Sequence, residues 1–291
     1  MCFKTAQVSR LGNRPSNQDR FAVIETENAV LMVLADGMGG HARGELAAQI
    51  LVDTFTRRFR ACPGGRVPEP SEFLVQTMLD AHANVVEAGH RHVPPIEPHT
   101  TCIACLVHDA TAWWAHAGDS RLYFLRDGRI LFQTRDHTYV EQLYQQGLIS
   151  EAERATHPLR NYVTQSVGGT VPPEVTLAPP SVVQRDDVIL LCSDGLWAPL
   201  SADTLSALLR ERPLDEALDE LAYRAELASY PYSDNISAVA LRVLSDPDPT
   251  QGGEPQPEVP PDHPEPPDAL TAAIREITHA IEIFEQEIKK D

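Results

Sequence analysis

The sequence predicts an α+β fold on three observations: short apolar segments come in runs, amphipathic stretches come in pairs, and a hairpin turn joins two apolar segments. Runs of this kind pair antiparallel with their sequence neighbours, whereas a parallel sheet needs a crossover helix after nearly every strand. The strand-like segments are Phe21–Glu25, Val30–Ala35, Thr101–His108, Thr111–Ala117, Leu122–Leu125, Val188–Cys192 and Ile236–Leu244. Helical spacing of apolar residues marks Gly44–Arg60, Ser71–Ala88, Asp203–Arg210 and Leu214–Ser229. At 126–129, "RDGR" centres Asp-Gly in a two-residue hairpin loop, so its flanks pair antiparallel.

This pattern fills residues 1–245 and then stops. Residues 246–267 hold nine prolines and six acids with no lysine or arginine, which predicts an extended linker. In 268–291, Leu270, Ile274, Ile277, Ile281, Phe284 and Ile288 recur at intervals of four and three, a narrow heptad seam on an amphipathic helix. Lys289 and Lys290 stand at its end, where the helix dipole favours cations. Three uses are open to this helix: folding back onto the first domain, self-association, and docking to a partner helix.

Charge narrows the function. The net charge is −18, and residues 246–291 supply half of it with twelve acids against three bases. Both parts of the chain therefore repel phosphate backbones and anionic lipid, which argues against a nucleic-acid or membrane-surface partner. The N-terminus lacks the basic-then-apolar order of a signal peptide, and no apolar run approaches the roughly 20 residues that span a bilayer. A cytoplasmic protein is expected. The five cysteines form no disulfide framework. Cys102 and Cys105 lack a second pair for zinc and would face opposite sides of a strand, so both are read as apolar filler.

The stretch "AVLMVLADGMGGHARGE" ends an apolar strand at Asp36 and follows it with glycines. A phosphate-cradling loop is excluded, because the only lysine in residues 1–245 is Lys4 and "GMGGHARG" lacks the sixth-position glycine of a dinucleotide motif. The aspartate recurs instead. "VLADG" ends at Asp36–Gly37, "WAHAGDS" at Asp119, "VILLCSDG" at Asp194, and "YPYSDN" places Asp234 before an apolar strand. Carboxylates gathered at one rim repel one another unless a cation joins them, and oxygen-only donors select a hard ion such as Mg²⁺ or Mn²⁺. The glycines are expected to let the backbone turn sharply and bring a carbonyl, such as that of Gly37, to the metal.

Taken together, "RPSNQD", "ADGMGGHARGE", "AGDSR", "RDH", "LLCSDGLW" and "SDNIS" occur in the order and approximate spacing of another set. They resemble the PPM-type (type 2C) metal-dependent protein serine/threonine phosphatases, bacterial branch, over about residues 4–244. The resemblance implies a four-layer α-β-β-α sandwich of two mainly antiparallel sheets flanked by helix pairs. It implies that Asp36 bridges two Mn²⁺ or Mg²⁺ ions, that the Gly37 carbonyl binds one, and that Asp194 and Asp234 bind the other. Asp119 resembles the residue that, with Asp194, holds a third, weaker ion. Arg14 resembles the guanidinium that grips the substrate phosphate, and Asp19 an acid that orients metal-bound water. Residues 137–160 fall where bacterial members carry a flap.

The implied reaction is hydrolysis of phosphoserine and phosphothreonine by direct attack of a water or hydroxide bridging the two ions. Its partners would be phosphorylated proteins and an opposing serine/threonine kinase. Two positions depart from the pattern: Gln18 replaces a glutamate, and Met38 stands where eukaryotic relatives often have a histidine assigned as general acid. A thioether cannot donate a proton, so the leaving alkoxide must be protonated by water or another group. Two other readings are a catalytically weak module that binds phosphoproteins and a metal-dependent hydrolase of small phosphoesters. Among the remaining residues, one of Trp113 and Trp114 is expected in the core and the other over a sheet face. His137 is expected to tie down a loop, His41 to cap a helix, and His82, His90 and His92 to lie on the surface.

Overall fold

Strand alternation sets the layers of this molecule. The computed structural model describes residues 2–38 and 42–245. The expected linker at 246–267, the helix at 268–291 and the capping role of His41 lie outside the described residues. One sheet contains β1 (Phe3–Arg10), β8 (Arg121–Arg126), β9 (Arg129–Gln133), β13 (Val188–Cys192) and β14 (Ile236–Val243), in the order β1-β14-β13-β8-β9. The other contains β2 (Arg20–Glu25), β3 (Ala29–Ala35), β6 (Cys102–His108), β7 (Thr111–Ala117) and β11 (Thr176–Leu177), in the order β11-β7-β6-β3-β2, with β12 (Ser181–Val182) also on β7. All pairs in both sheets are antiparallel. Three two-residue strands, β4 (Gly37–Met38), β5 (His99–Thr100) and β10 (Val167–Gly168), form a small third sheet.

β3, "AVLMVLA", is buried along its whole length because it is covered on both faces. Leu31 and Val33 pack toward the helices α1 (Ala42–Arg60) and α2 (Pro70–Arg91), while Met32 and Leu34 pack into the space between the sheets. On the far side, α6 (Ala202–Glu211) and α7 (Leu214–Ser229) cover β1, β13 and β14 through Leu205, Leu209, Leu218 and Leu221. The order is helix pair, sheet, sheet, helix pair, as the resemblance implied. Cys102 falls in the helix-side core and Cys105 in the inter-sheet core, where burial pushes both thiols up. Trp114 is buried between the sheets, and Trp113 packs at the edge of the helix-side core.

β1 and β9 are full strands that the apolar pattern did not mark. His82 is not a surface residue: it is 8% exposed, and its Nδ1 accepts a hydrogen bond from Gly168 N at 3.1 Å. His90 and His92 are exposed, as expected. Residues 137–160, the expected flap, carry α3 (Tyr139–Gln145), capped by Thr138, and α4 (Glu151–Thr156), which opens with a capping box on Ser150 and Glu153. The root of this span is closed by a β-bridge between Thr138 and Val163. No helix among the described residues is long and apolar enough to cross a membrane.

Candidate metal centre

Three strands end and one begins at the same end of the sandwich, and each junction carries an aspartate. β3 leads into Asp36, β7 into Asp119, and β13 into Asp194, the first residue of α5 (Asp194–Trp197), while Asp234 precedes β14. These four carboxylates line a single cavity of about 410 Å³ together with Arg14, Gln18, Gly37, Met38, Asn161, Val163 and Asn235. Asp19 does not line it. It lies beneath, 3% exposed, where Oδ2 accepts from Ser193 Oγ at 2.8 Å.

Part-buried hydrogen bonds hold Asp36 in place. Its N–H donates to Thr101 Oγ1 at 3.0 Å, and its carbonyl accepts from Thr101 N and Thr100 Oγ1, both at 2.9 Å. Thr101 Oγ1 is also bonded to Ser120 Oγ at 2.7 Å, which ties Asp36 to the turn bearing Asp119. The glycine of Asp36–Gly37 makes no left-handed turn but serves a close packing contact. A Cβ there would lie 2.3 Å from the Gly44 carbonyl, so its lack of a side chain lets α1 close onto β4. At Gly195 a Cβ would lie 2.0 Å from the Asn235 carbonyl oxygen, and this contact sets Asp194 beside Asp234.

Asn235 completes the frame. Its Nδ2 donates to Leu11 O at 2.9 Å and Ser16 O at 3.1 Å, and its Oδ1 accepts from Gln18 N at 2.8 Å. These bonds clamp the loop that presents Arg14. Arg14 Nη2 donates to Asp234 Oδ2 at 2.6 Å, so the guanidinium expected at a substrate phosphate is engaged by a candidate metal ligand. His137 ties down a loop, as expected: its N donates to Gly118 O at 2.9 Å and its Nδ1 accepts from Gly118 N at 3.3 Å. An accepting Nδ1 leaves the proton on Nε2, which bonds Thr176 Oγ1 at 2.9 Å.

The electrostatics are those of crowded acids with little to neutralise them. Burial first, and then repulsion from Asp19, Asp119 and Asp234 among others, raises Asp36 and Asp194 well above the usual carboxylate range. Burial raises Asp119 to about 7, with Asp136 adding to the effect, and raises Asp19 to about 6. Arg14 is the one guanidinium or ammonium lining the cavity among the described residues. Asp194 Oδ1 and Asp19 Oδ1 are buried with no hydrogen-bond partner, a costly state for a carboxylate that a cation would relieve. Among the described residues, no three His, Cys, Asp or Glu side chains close around one point. The donors around the cavity are carboxylate and carbonyl oxygens, the set that hard ions such as Mg²⁺ or Mn²⁺ take. The donors fit such ions.

Six of the expected residues, Arg14, Asp36, Gly37, Asp119, Asp194 and Asp234, thus meet at one cavity, with the seventh, Asp19, behind it. Thr100, Thr101, Asn161 and Asn235 were not read as part of the site. Only the adjacency of Asn235 to Asp234 hinted at any of them.

A family model described as protein phosphatase 2C matches residues 6–230. A putative protein phosphatase 2C-type protein of Streptococcus pyogenes is 32% identical over 216 residues, which is 74% of this chain and 87% of that protein. The serine/threonine phosphatase of S. agalactiae superposes with a TM-score of 0.76 at 28% identity, covering 83% of this chain and 100% of that one. The catalytic domain of the serine/threonine protein phosphatase PstP, solved with two manganese ions, gives 0.71 at 28% identity and covers 84% and 99%. This chain belongs to the protein phosphatase 2C family.

Proposed function

We propose that this metal-dependent protein serine/threonine phosphatase holds two Mn²⁺ or Mg²⁺ ions on Asp36, the Gly37 carbonyl, Asp194 and Asp234, and a third, weaker one on Asp119 and Asp194. The carrying observation is the meeting of four strand-end carboxylates at one cavity, with a buried Asp194 oxygen left unpartnered. When bound, the ions supply an acidified water for attack on phosphorus and offset the charge of the phosphoryl oxygens. Asp36 has its main chain fixed by Thr100 and Thr101, so its carboxylate needs little reorganisation as charge develops. Asp19, anchored through Oδ2 to Ser193, keeps Oδ1 to orient water and accept a proton. Arg14 exchanges Asp234 for the substrate phosphate and presents the planar fork of donors that phosphate binding favours. Met38 lines the cavity with no proton to give, so the leaving alkoxide takes its proton from water or another group.

The substrates are phosphorylated proteins of the cytoplasm, and the opposing enzyme is a serine/threonine kinase. Residues 246–291 act as a tether and a helical docking element, for a second copy or a partner helix. With Mn²⁺ the protein is expected to release phosphate from a phosphothreonine peptide, and Asp194→Asn to abolish that release; turnover of small phosphoesters alone would contradict the reading. Removing residues 246–291 is expected to change light scattering or activity on a protein substrate, and no change in either would remove the docking role.

A further inference from the structure

Trp197 lies on the same helical turn as Asp194, three residues later, and its indole N–H donates to the main-chain carbonyl of Asp119 at 2.9 Å. One hydrogen bond thereby joins the β13–α5 junction to the β7–β8 turn. The indole is itself held. The guanidinium of Arg121 lies 3.4 Å over its ring, and that guanidinium is locked in a bidentate pair with Asp136, both bonds 2.7 Å. Both partners are nearly buried, with side chains 14% and 9% exposed. The neighbours of Asp119 are anchored elsewhere, Gly118 to His137 and Ser120 to Thr101. The bond from Trp197 is therefore a tie between Asp119 and the turn that begins with Asp194.

We propose that Trp197 is a positioning residue: its N–H sets the spacing of Asp119 from Asp194 and so sets the affinity of the weaker cation the two carboxylates share. This rests on the reading above that both face a common ion, which their place on one cavity supports. A group that orients a ligand without touching the metal commonly changes metal affinity 10- to 100-fold. Trp197 acts on the main chain of Asp119 rather than on its carboxylate, so the lower end, about tenfold, is expected.

The test is calorimetric Mn²⁺ titration of the full chain, with free Mn²⁺ followed by electron paramagnetic resonance. The proteins are wild type, Asp119→Asn, Trp197→Phe and Trp197→benzothienylalanine, an isostere with sulfur in place of the N–H. Wild type is expected to bind a weak ion that Asp119→Asn loses. Both Trp197 variants are expected to bind that ion about tenfold more weakly and to keep the tighter ions. If Trp197→Phe does not fold, the isostere decides, because it preserves packing and removes only the donor. Wild-type affinity in the isostere, with the weak ion present, overturns the role of Trp197 while leaving the shared site intact. No weak ion sensitive to Asp119→Asn overturns both.

Discussion

The two sides of the cavity are built differently. On one side Asp36 and Asp19 sit in a buried frame, held by Thr100, Thr101 and Ser193. On the other, Arg14 and Asp234 face each other with side chains 54% and 38% exposed, joined by a single ion pair. An exposed pair of this kind contributes little to stability and exchanges partners readily, whereas a buried bonded network holds its geometry. The rigid side is suited to fixing the donor Asp36, while on the exposed side Arg14 can leave Asp234 to its metal and turn to a substrate phosphate.

Substitutions on the two sides should separate along this line. Asp36→Asn removes a charged donor from the frame and is expected to lower kcat/KM by about a thousandfold or more, since metal-ion roles are worth several kcal/mol. Arg14→Lys keeps the charge but loses the fork. It is expected to lower kcat/KM about 10- to 100-fold, the range of a charge-assisted hydrogen bond, in phosphopeptide kinetics with little change in melting temperature. Thr101→Val leaves the buried Asp36 N–H and Ser120 hydroxyl without partners. Urea denaturation is expected to show a loss of about 1–3 kcal/mol, and activity should fall with it.

A further effect belongs to the loop under Asp119. His137 is stacked on His116 with ring centroids 4.4 Å apart, and burial, with His116 adding, lowers it to about 3. A base lowered on folding binds protons more readily when unfolded. Its contribution is complete above about pH 6.5 and is lost as pH falls toward 3. A His116→Gln/His137→Gln variant is therefore expected to lose less stability than wild type between pH 7 and pH 5, at equal metal content.

The same contrast explains what was legible beforehand. Asp36, Asp119, Asp194 and Asp234 stood out because each interrupts or borders an apolar segment; those segments give the α+β class, and the sandwich came from the family resemblance. β1 escaped because it is an edge strand paired only with β14, so its residues mix exposed and buried positions, and β9 alternates as an edge on the other side. Thr101 bonds a residue 65 positions away, and Asn235 bonds residues more than 200 positions away. Contacts of that range leave no mark in local spacing. His82 was misread because its partner, Gly168 N, comes from a two-residue strand with no sequence signal.

The central claim is that the strand-end carboxylates form a metal site. Crystals grown with Mn²⁺ and measured at the manganese absorption edge test it most directly. Two strong anomalous peaks are expected, with Asp36 shared between them and the Gly37 carbonyl, Asp194 and Asp234 completing the protein donors. An empty rim at saturating Mn²⁺, or ions bound away from Asp36, would contradict the account.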